Sequence, residues 1–113
     1  MTDTLRKLAS TISARRSADP KTSYVAQLNH RGLDKILSKV GEEATEVILA
    51  AKAPLHSQEG KAALVAEMAD LWFHCLVLLE RVEIDYNDVF KELERREGTS
   101  GIEEKRARDP SNH

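Results

Sequence analysis

The longest apolar run of the chain spans residues 62–79. Only three polar residues interrupt it: Glu67, Asp70 and His74. Their i, i+3, i+7 spacing forms one polar line along an otherwise apolar helix. Because a helix that is apolar nearly all round is typical of a protein core, we predict a buried helix over residues 59–81, with Glu67 and Asp70 inside its apolar run.

The two acids inside this apolar run, Glu67 and Asp70, need a positive partner. A desolvated carboxylate without one costs several kcal/mol, and Asp and Glu are rarely fully buried unless they are paired. The pattern therefore predicts a cation opposite Glu67 and Asp70, either a basic side chain such as Arg31 or Lys35 or a bound metal ion. His74, taken alone, is more typical of a hydrogen-bonded core histidine than of a ligand contact.

Apolar residues at helical spacing, together with capping residues and helix breakers, predict four more helices. Gly41 lies inside the third helix, where a glycine costs about 1 kcal/mol, and this indicates the close approach of a neighbour or a ligand. The five predicted helices are residues 3–17, a short segment between Ser23 and Gly32, residues 33–52 ended by Pro54, residues 59–81 capped by Ser57, and a segment from Asp85 to Gly98 with an inward stripe of Tyr86, Val89, Phe90 and Leu93.

These elements predict an all-α fold, a helical bundle of about four to five helices, with no strand. A chain of 113 residues is the size of one domain. We expect residues 1–98 to form it and residues 99–113 to be a polar tail. Two antiparallel helices leave much apolar surface uncovered in so small a chain, which predicts a dimer.

Composition narrows the function classes. Hydrophobic residues make up 41% of the chain and charged residues 32%, as in a soluble globular domain. The net charge of −2, without a strong basic patch before the tail, argues against nucleic-acid binding, and the acids within the apolar run argue against a membrane span. The single cysteine, Cys75, cannot form an internal disulfide, and no signal peptide is evident, so we expect a cytoplasmic protein.

Two acidic motifs lie on consecutive predicted helices and supply five carboxylates: Glu42, Glu43 and Glu46 on the third helix, and Glu67 and Asp70 on the fourth. Acids at i, i+3 share a helix face, and two antiparallel helices can bring such faces together into a cage of oxygen ligands. Two like charges at ~4 Å repel by about 4 kcal/mol at an effective dielectric constant of roughly 20. Either their pKa values rise or divalent cations hold them, and oxygen ligands favour Mg²⁺ or Mn²⁺ over Zn²⁺.

A solvated helix face is the simpler interpretation of the acids on the third helix. Lys39 and Glu43 would then form an ordinary i, i+4 ion pair. An EExxE pattern by itself more often forms a solvated helix surface than a metal site. Acids on an apolar helix are not explained in that way, so Glu67 and Asp70 favour the metal-site interpretation.

Several strings of the sequence resemble one enzyme family. They are GLDKIL at residues 32–37, KVGEEATEV at residues 39–47, and Glu67-x-x-Asp70 with the leucine-rich segment after it. The acidic motifs alone are similar to the wider all-α superfamily of nucleoside triphosphate pyrophosphatases, whereas the first two strings resemble phosphoribosyl-ATP pyrophosphohydrolase more specifically. The resemblance covers roughly residues 5–105. It indicates the stand-alone form, because the chain is too short for a fused cyclohydrolase domain and lacks the zinc ligands of such a domain.

The resemblance implies Mg²⁺-dependent hydrolysis of phosphoribosyl-ATP to phosphoribosyl-AMP and pyrophosphate in histidine biosynthesis, by an all-α homodimer. Carried over by motif, it implies that the metal ligands are Glu43, Glu46, Glu67 and Asp70. It implies catalytic roles for Glu42, Glu43 and Glu46. Glu42 is expected to contact the outer shell of the metal or to orient the attacking water.

Basic residues around the acidic motifs are candidates for substrate contacts. Lys35, Lys39 and Lys52 lie on the helix of the EExxE motif and could bind phosphates. His74 is a further candidate for substrate binding. The three lysines could equally be ordinary surface charges, and His74 could be a core residue.

Two other functions remain open. A sibling enzyme that hydrolyses non-standard or deoxynucleoside triphosphates would differ in its nucleotide preference. A non-catalytic helical dimerisation module, held together through leftover apolar residues such as Leu49, would bind no divalent cation. Assays of nucleotide preference and of cation binding separate these alternatives.

Overall fold

The computed structural model describes residues 2–53 and 56–98, which form five helices without a strand and confirm the all-α fold. The helices are α1 (Thr2–Arg15), α2 (Tyr24–Arg31), α3 (Leu33–Lys52), α4 (Gln58–Arg81) and α5 (Tyr86–Glu97). The chain divides into two compact units, of which the first ends at Glu83 and contains α1–α4, and the second contains α5. Pro54 and the predicted tail, residues 99–113, lie outside the described residues.

Three helices begin after residues whose side chains cap them, and the cap at Ser57 is confirmed. The capping oxygens accept backbone N–H groups: Ser23 from Ala26 at 3.2 Å, Ser57 from Gly60 at 3.0 Å and Asp85 from Asn87 at 2.8 Å. A cap of this kind stabilises a helix by about 1 kcal/mol. Three helix ends differ slightly from the prediction: α1 begins at Thr2 and ends at Arg15, and α4 begins at Gln58.

Gly32 connects α2 directly to α3. Its φ of +102° lies where residues with a Cβ are strained, and its N–H donates to the carbonyl of Leu28 at 3.1 Å. A Cβ added at Gly32 would have no atom within 4 Å. Glycine is therefore required here by backbone conformation rather than by space, and this junction sets the direction of α3.

A small apolar core holds α1–α4 together. Its buried side chains are Ile12, Val25, Leu28, Ile36 and Val77. Among the helix pairs, α3 and α4 pack most extensively. Because these two helices carry the five acids singled out from the sequence, their packing positions the candidate site.

α4 is not the buried helix that its sequence predicts. Only His74 and Val77 are buried along its 24 residues, while Val65 and Trp72 are 68% and 56% exposed. The prediction is wrong because α4 packs mainly on α3 and α1, which cover only part of its surface. By length and composition alone α4 could cross a membrane, and 11% of its 18-residue apolar window is buried inside the chain.

α5 carries an apolar face within its own unit. Tyr86 and Phe90 make an edge-to-face contact with ring centroids 5.6 Å apart. No residue of α5 is buried, and Val89 and Leu93 are 43% and 55% exposed. The predicted inward stripe therefore stays a prediction, since the pattern identifies an apolar face but not what covers it.

Candidate active site

Three of the predicted acids converge between α3 and α4. Glu43, Glu67 and Asp70 each offer a carboxylate oxygen, and these oxygens all lie within 4.8 Å of one another. The Glu43 side chain is 12% exposed, Glu67 is half-buried, and Asp70 lies at the exposed rim. The i, i+3 spacing places the two acids of α4 on one face, and the packing of α3 against α4 brings Glu43 to them.

Glu46 and Glu42 flank this group of three without joining it. Glu46 is exposed on α3, and the Glu42 side chain is 58% exposed. Burial raises the pKa of Glu67, and the charges of Glu46, Asp70 and Glu43 raise it further. Carboxylates that repel one another in this way are stabilised in their charged form by a cation bound between them.

Lys39 supplies a positive charge beside the acids of α3. Its Nζ lies 3.7 Å from Glu42 Oε2 and 3.7 Å from Glu43 Oε1. Burial lowers the pKa of Lys39, but its interactions with Tyr24, Glu42 and Glu43 outweigh that effect, so the pKa is raised. Lys39 therefore remains an ammonium, and the i, i+4 pair with Glu43 exists inside the site rather than on a solvated face.

His74 is a hydrogen-bonded core residue, 5% exposed. Its Nδ1 lies 2.7 Å from the backbone carbonyl of Asp70, and a carbonyl only accepts, so Nδ1 carries the proton. In the neutral ring Nε2 is then an acceptor, and the hydroxyl of Tyr24 donates to it at 2.8 Å. Because both ring nitrogens have partners within the chain, the structure favours the core interpretation of His74 over substrate binding.

Tyr24 is the residue beside the site that sequence reasoning missed. Tyr24 was not among the predicted site residues, and it is 44% exposed. Burial raises the pKa of Tyr24; Lys39 opposes this rise, and the carboxylates of the site add to it, Glu43 first among them. These interactions place the phenol near acids that lie eighteen or more residues further along the chain.

The other predicted basic residues, Lys35 and Lys52, lie apart from Glu43 along α3. Lys35 precedes Glu43 by eight residues and Lys52 follows it by nine, which at 1.5 Å per residue is about 12 and 14 Å along α3. Within the described residues, no salt bridge joins the acids of α4 to Lys35 or Arg31. The alternative of a structural ion pair with either of those residues is therefore wrong.

The donor set of the site fits a hard divalent cation. Carboxylate oxygens from Glu43, Glu67 and Asp70, with no cysteine among them, match the ligand preference of Mg²⁺ and Mn²⁺. Facing helices that project acids toward each other are an established way to hold such ions in bundles. Fold and site together define a helical protein with a carboxylate site between two neighbouring helices.

Comparison with known proteins identifies the family. The family described as phosphoribosyl-ATP pyrophosphohydrolase matches residues 5–97. A protein named phosphoribosyl-ATP pyrophosphatase from Burkholderia vietnamiensis is 56% identical over 106 residues, which are 94% of this chain and 87% of that protein. One of the same name from Burkholderia mallei is 57% identical over 94% of this chain and 86% of its own length. The chain belongs to the phosphoribosyl-ATP pyrophosphohydrolase family, a family of hydrolases, and the resemblance of its motifs is confirmed.

Proposed function

We propose that this chain hydrolyses the α–β phosphoanhydride of phosphoribosyl-ATP, giving phosphoribosyl-AMP and pyrophosphate, as a step of histidine biosynthesis. The observation that carries the proposal is the convergence of Glu43, Glu67 and Asp70 from two helices in a chain of this family. The polyphosphate is strongly anionic and is repelled by those same acids. A bound Mg²⁺ or Mn²⁺ is therefore part of the proposal.

The three converging acids would hold the cation, which neutralises phosphate charge, activates water and stabilises the leaving pyrophosphate. Glu46 lies three residues after Glu43, on the same face of α3, and would complete the ligand set. Glu42 lies next to Glu43 with a largely exposed side chain. Its carboxylate can orient a water molecule and accept the proton of that water.

Lys39 is the best-placed basic residue for a phosphate contact, because it already lies beside the acids of α3. Lys35 and Lys52 are proposed to contact parts of the substrate remote from the cation. Direct substrate binding by His74 is not part of the proposal, since its ring nitrogens bond to Tyr24 and to the carbonyl of Asp70.

A homodimer is the second part of the proposal. Val65 and Trp72 lie seven residues apart on one face of α4, and they are 68% and 56% exposed. On α3, Ile48 and Leu49 are 58% and 59% exposed. A Cβ at Gly41 would have no atom within 4 Å, so no neighbour in the described chain explains the glycine. Apolar helix faces are normally buried, and a second copy of the same chain is the commonest way to cover them.

The proposal places the enzyme in the cytoplasm, with a nucleotide as its substrate and without a nucleic-acid or membrane partner. The net charge of −2 supports the first exclusion. The carboxylates of α4 support the second, because acids are costly in a bilayer. Cys75 is half-buried, and burial raises the pKa of its thiol, which makes it an unreactive packing residue.

An assay of the purified protein with Mg²⁺, phosphoribosyl-ATP and a panel of nucleoside triphosphates tests the proposed reaction. We expect turnover of phosphoribosyl-ATP with release of pyrophosphate, and loss of turnover when the divalent cation is chelated. Preference for dUTP or dCTP would favour the sibling enzyme that hydrolyses non-standard or deoxynucleoside triphosphates. Absence of both turnover and cation binding would favour the non-catalytic dimerisation module.

The variants Asp70→Asn and Glu46→Gln test the site itself. Each should lower kcat on the order of 100-fold or more, because one charge aimed at the transition state is removed. Glu59→Gln, on the exposed first turn of α4, is the matched control and should retain wild-type turnover. Circular dichroism should show the same helix content in all three, and retained activity in both site variants would exclude the assigned site.

A further inference from the structure

Lys39 forms an ion pair with a carboxylate that the proposed cation would also bind. Glu43 is one of the three converging acids, and the ammonium of Lys39 lies 3.7 Å from its Oε1. The same Nζ lies 3.7 Å from Oε2 of Glu42. Both side chains of the Lys39–Glu43 pair are largely buried, at 21% and 12% exposed, so water screens this pair less than a surface pair.

One ammonium does not neutralise the site. Lys39 contacts two acids of α3, and within the described residues no salt bridge reaches Glu67 or Asp70. The cluster therefore keeps an excess of negative charge, which attracts a divalent cation. A divalent cation bound to Glu43 would in turn repel the ammonium at the same carboxylate.

We propose that Lys39 is a displaceable counter-ion that changes partners during binding, from Glu43 in the cation-free protein to a phosphate of the nucleotide. The inference rests on the proposed function and adds a specific role for this lysine. Lysine suits the exchange, because its ammonium is a point charge on a flexible four-carbon stem. The side chain can swing away from Glu43 without any movement of α3.

The exchange couples cation and nucleotide binding. With no nucleotide present, Lys39 competes with the cation for Glu43 and weakens cation binding. With a polyphosphate present, the released ammonium gains a new anionic partner and strengthens binding of the cation–phosphate complex. Removal of the Lys39 charge should therefore change the two affinities in opposite directions.

Calorimetry on the full chain tests this inference with two probes, Mg²⁺ alone and pyrophosphate in saturating Mg²⁺. Relative to wild type, Lys39→Met should bind Mg²⁺ alone more tightly and Mg²⁺–pyrophosphate more weakly, each on the order of tenfold. Lys7→Met, at an exposed position of α1, removes the same charge away from the site and should change neither affinity. A Lys39 that only fixes the Glu43 side chain would weaken both affinities when removed.

Equal affinities in Lys39→Met and wild type, or changes of the same sign for both probes, would overturn the role of Lys39 while leaving the proposed reaction intact. Wild-type protein that binds neither probe would instead overturn the proposed function, and the role of Lys39 with it. Lys39→Arg gives an independent test if the methionine variant does not fold. A guanidinium can donate two hydrogen bonds to one carboxylate, so the arginine variant should bind Mg²⁺ alone more weakly than wild type does. An equal or tighter affinity for Mg²⁺ would overturn the inference.

Discussion

The hydroxyl of Tyr24 donates a hydrogen bond to Nε2 of His74 across 2.8 Å, and this bond joins α2 to α4. The same imidazole donates from Nδ1 to the backbone carbonyl of Asp70 at 2.7 Å. A chain of two hydrogen bonds thus runs from the first residue of α2 to the turn of α4 that carries an acid of the site. The position of that turn depends on packing by a helix that contributes no acid.

Tyr24→Phe tests the contribution of this bond to stability. The substitution keeps the ring but leaves the buried Nε2 of His74 without its donor, so the free energy of unfolding should fall by about 1–2 kcal/mol. Urea denaturation followed by circular dichroism measures the change. Tyr86→Phe is the matched control, since within the described residues its hydroxyl has no recorded hydrogen bond, and equal stability of both variants would contradict the assignment.

Arg81→Met tests a second link between α2 and α4. The Arg81 guanidinium donates to the backbone carbonyl of Asn29 at 2.7 Å, where α2 approaches its end. Loss of a partly buried, charge-assisted bond should lower the free energy of unfolding by roughly 1.5–3 kcal/mol. Lys61→Met, at an exposed position of the same helix, should change it by less than about 0.5 kcal/mol. An equal free energy of unfolding in the two variants would exclude a stabilising link through Arg81.

The pH dependence of α5 follows from Glu92. Hydrogen bonds from Arg95 and Arg96 lower the pKa of Glu92 from 4.5 to about 2. Because the folded pKa is depressed, this contribution to stability is complete above pH 4.5 and is lost as the pH falls toward 2. An NMR titration of the Glu92 carboxyl should have its midpoint near 2 in wild type and near 4.5 after both arginines are replaced by methionine. A wild-type midpoint near 4.5 would show that the pairs do not form in solution.

Trp72 reports on the proposed dimer because it is the one tryptophan of the sequence and is 56% exposed in the single chain. If a second copy covers this face of α4, fluorescence emission should be blue-shifted at high concentration and move to longer wavelength on dilution. Val65→Glu, at a position 68% exposed in the single chain, should give the long-wavelength emission at every concentration and a monomer in sedimentation. Emission that is independent of concentration in a sedimenting monomer would exclude the dimer.

The helix boundaries could be predicted from the sequence because the signals that set them are local. Ser23, Ser57 and Asp85 cap the helices that they precede, and Gly32 adopts a positive φ at the junction of α2 and α3. That Glu67 and Asp70 share a helix face could also be predicted locally, because it follows from helical spacing alone. That they lie close to Glu43 could be predicted only on the assumption that α3 packs against α4.

What could not be predicted depends on contacts between distant parts of the chain. Tyr24 reaches His74 through the packing of α2, which no spacing rule gives. The apolar pattern of α4 identified a helix that avoids water but not which surfaces cover it, so the exposure of Trp72 was missed. Helical spacing placed Glu46 beside Glu43. Among the acids, Glu46 has the charge that most raises the pKa of Glu67, but its carboxylate is not one of the three that converge.

Anomalous diffraction from a crystal soaked with Mn²⁺ and a non-hydrolysable substrate analogue tests the central claim most directly. We expect a Mn²⁺ peak between α3 and α4, bonded to carboxylate oxygens of Glu43, Glu67 and Asp70. A peak bound to other residues, or no peak at a Mn²⁺ concentration that supports turnover, would contradict it.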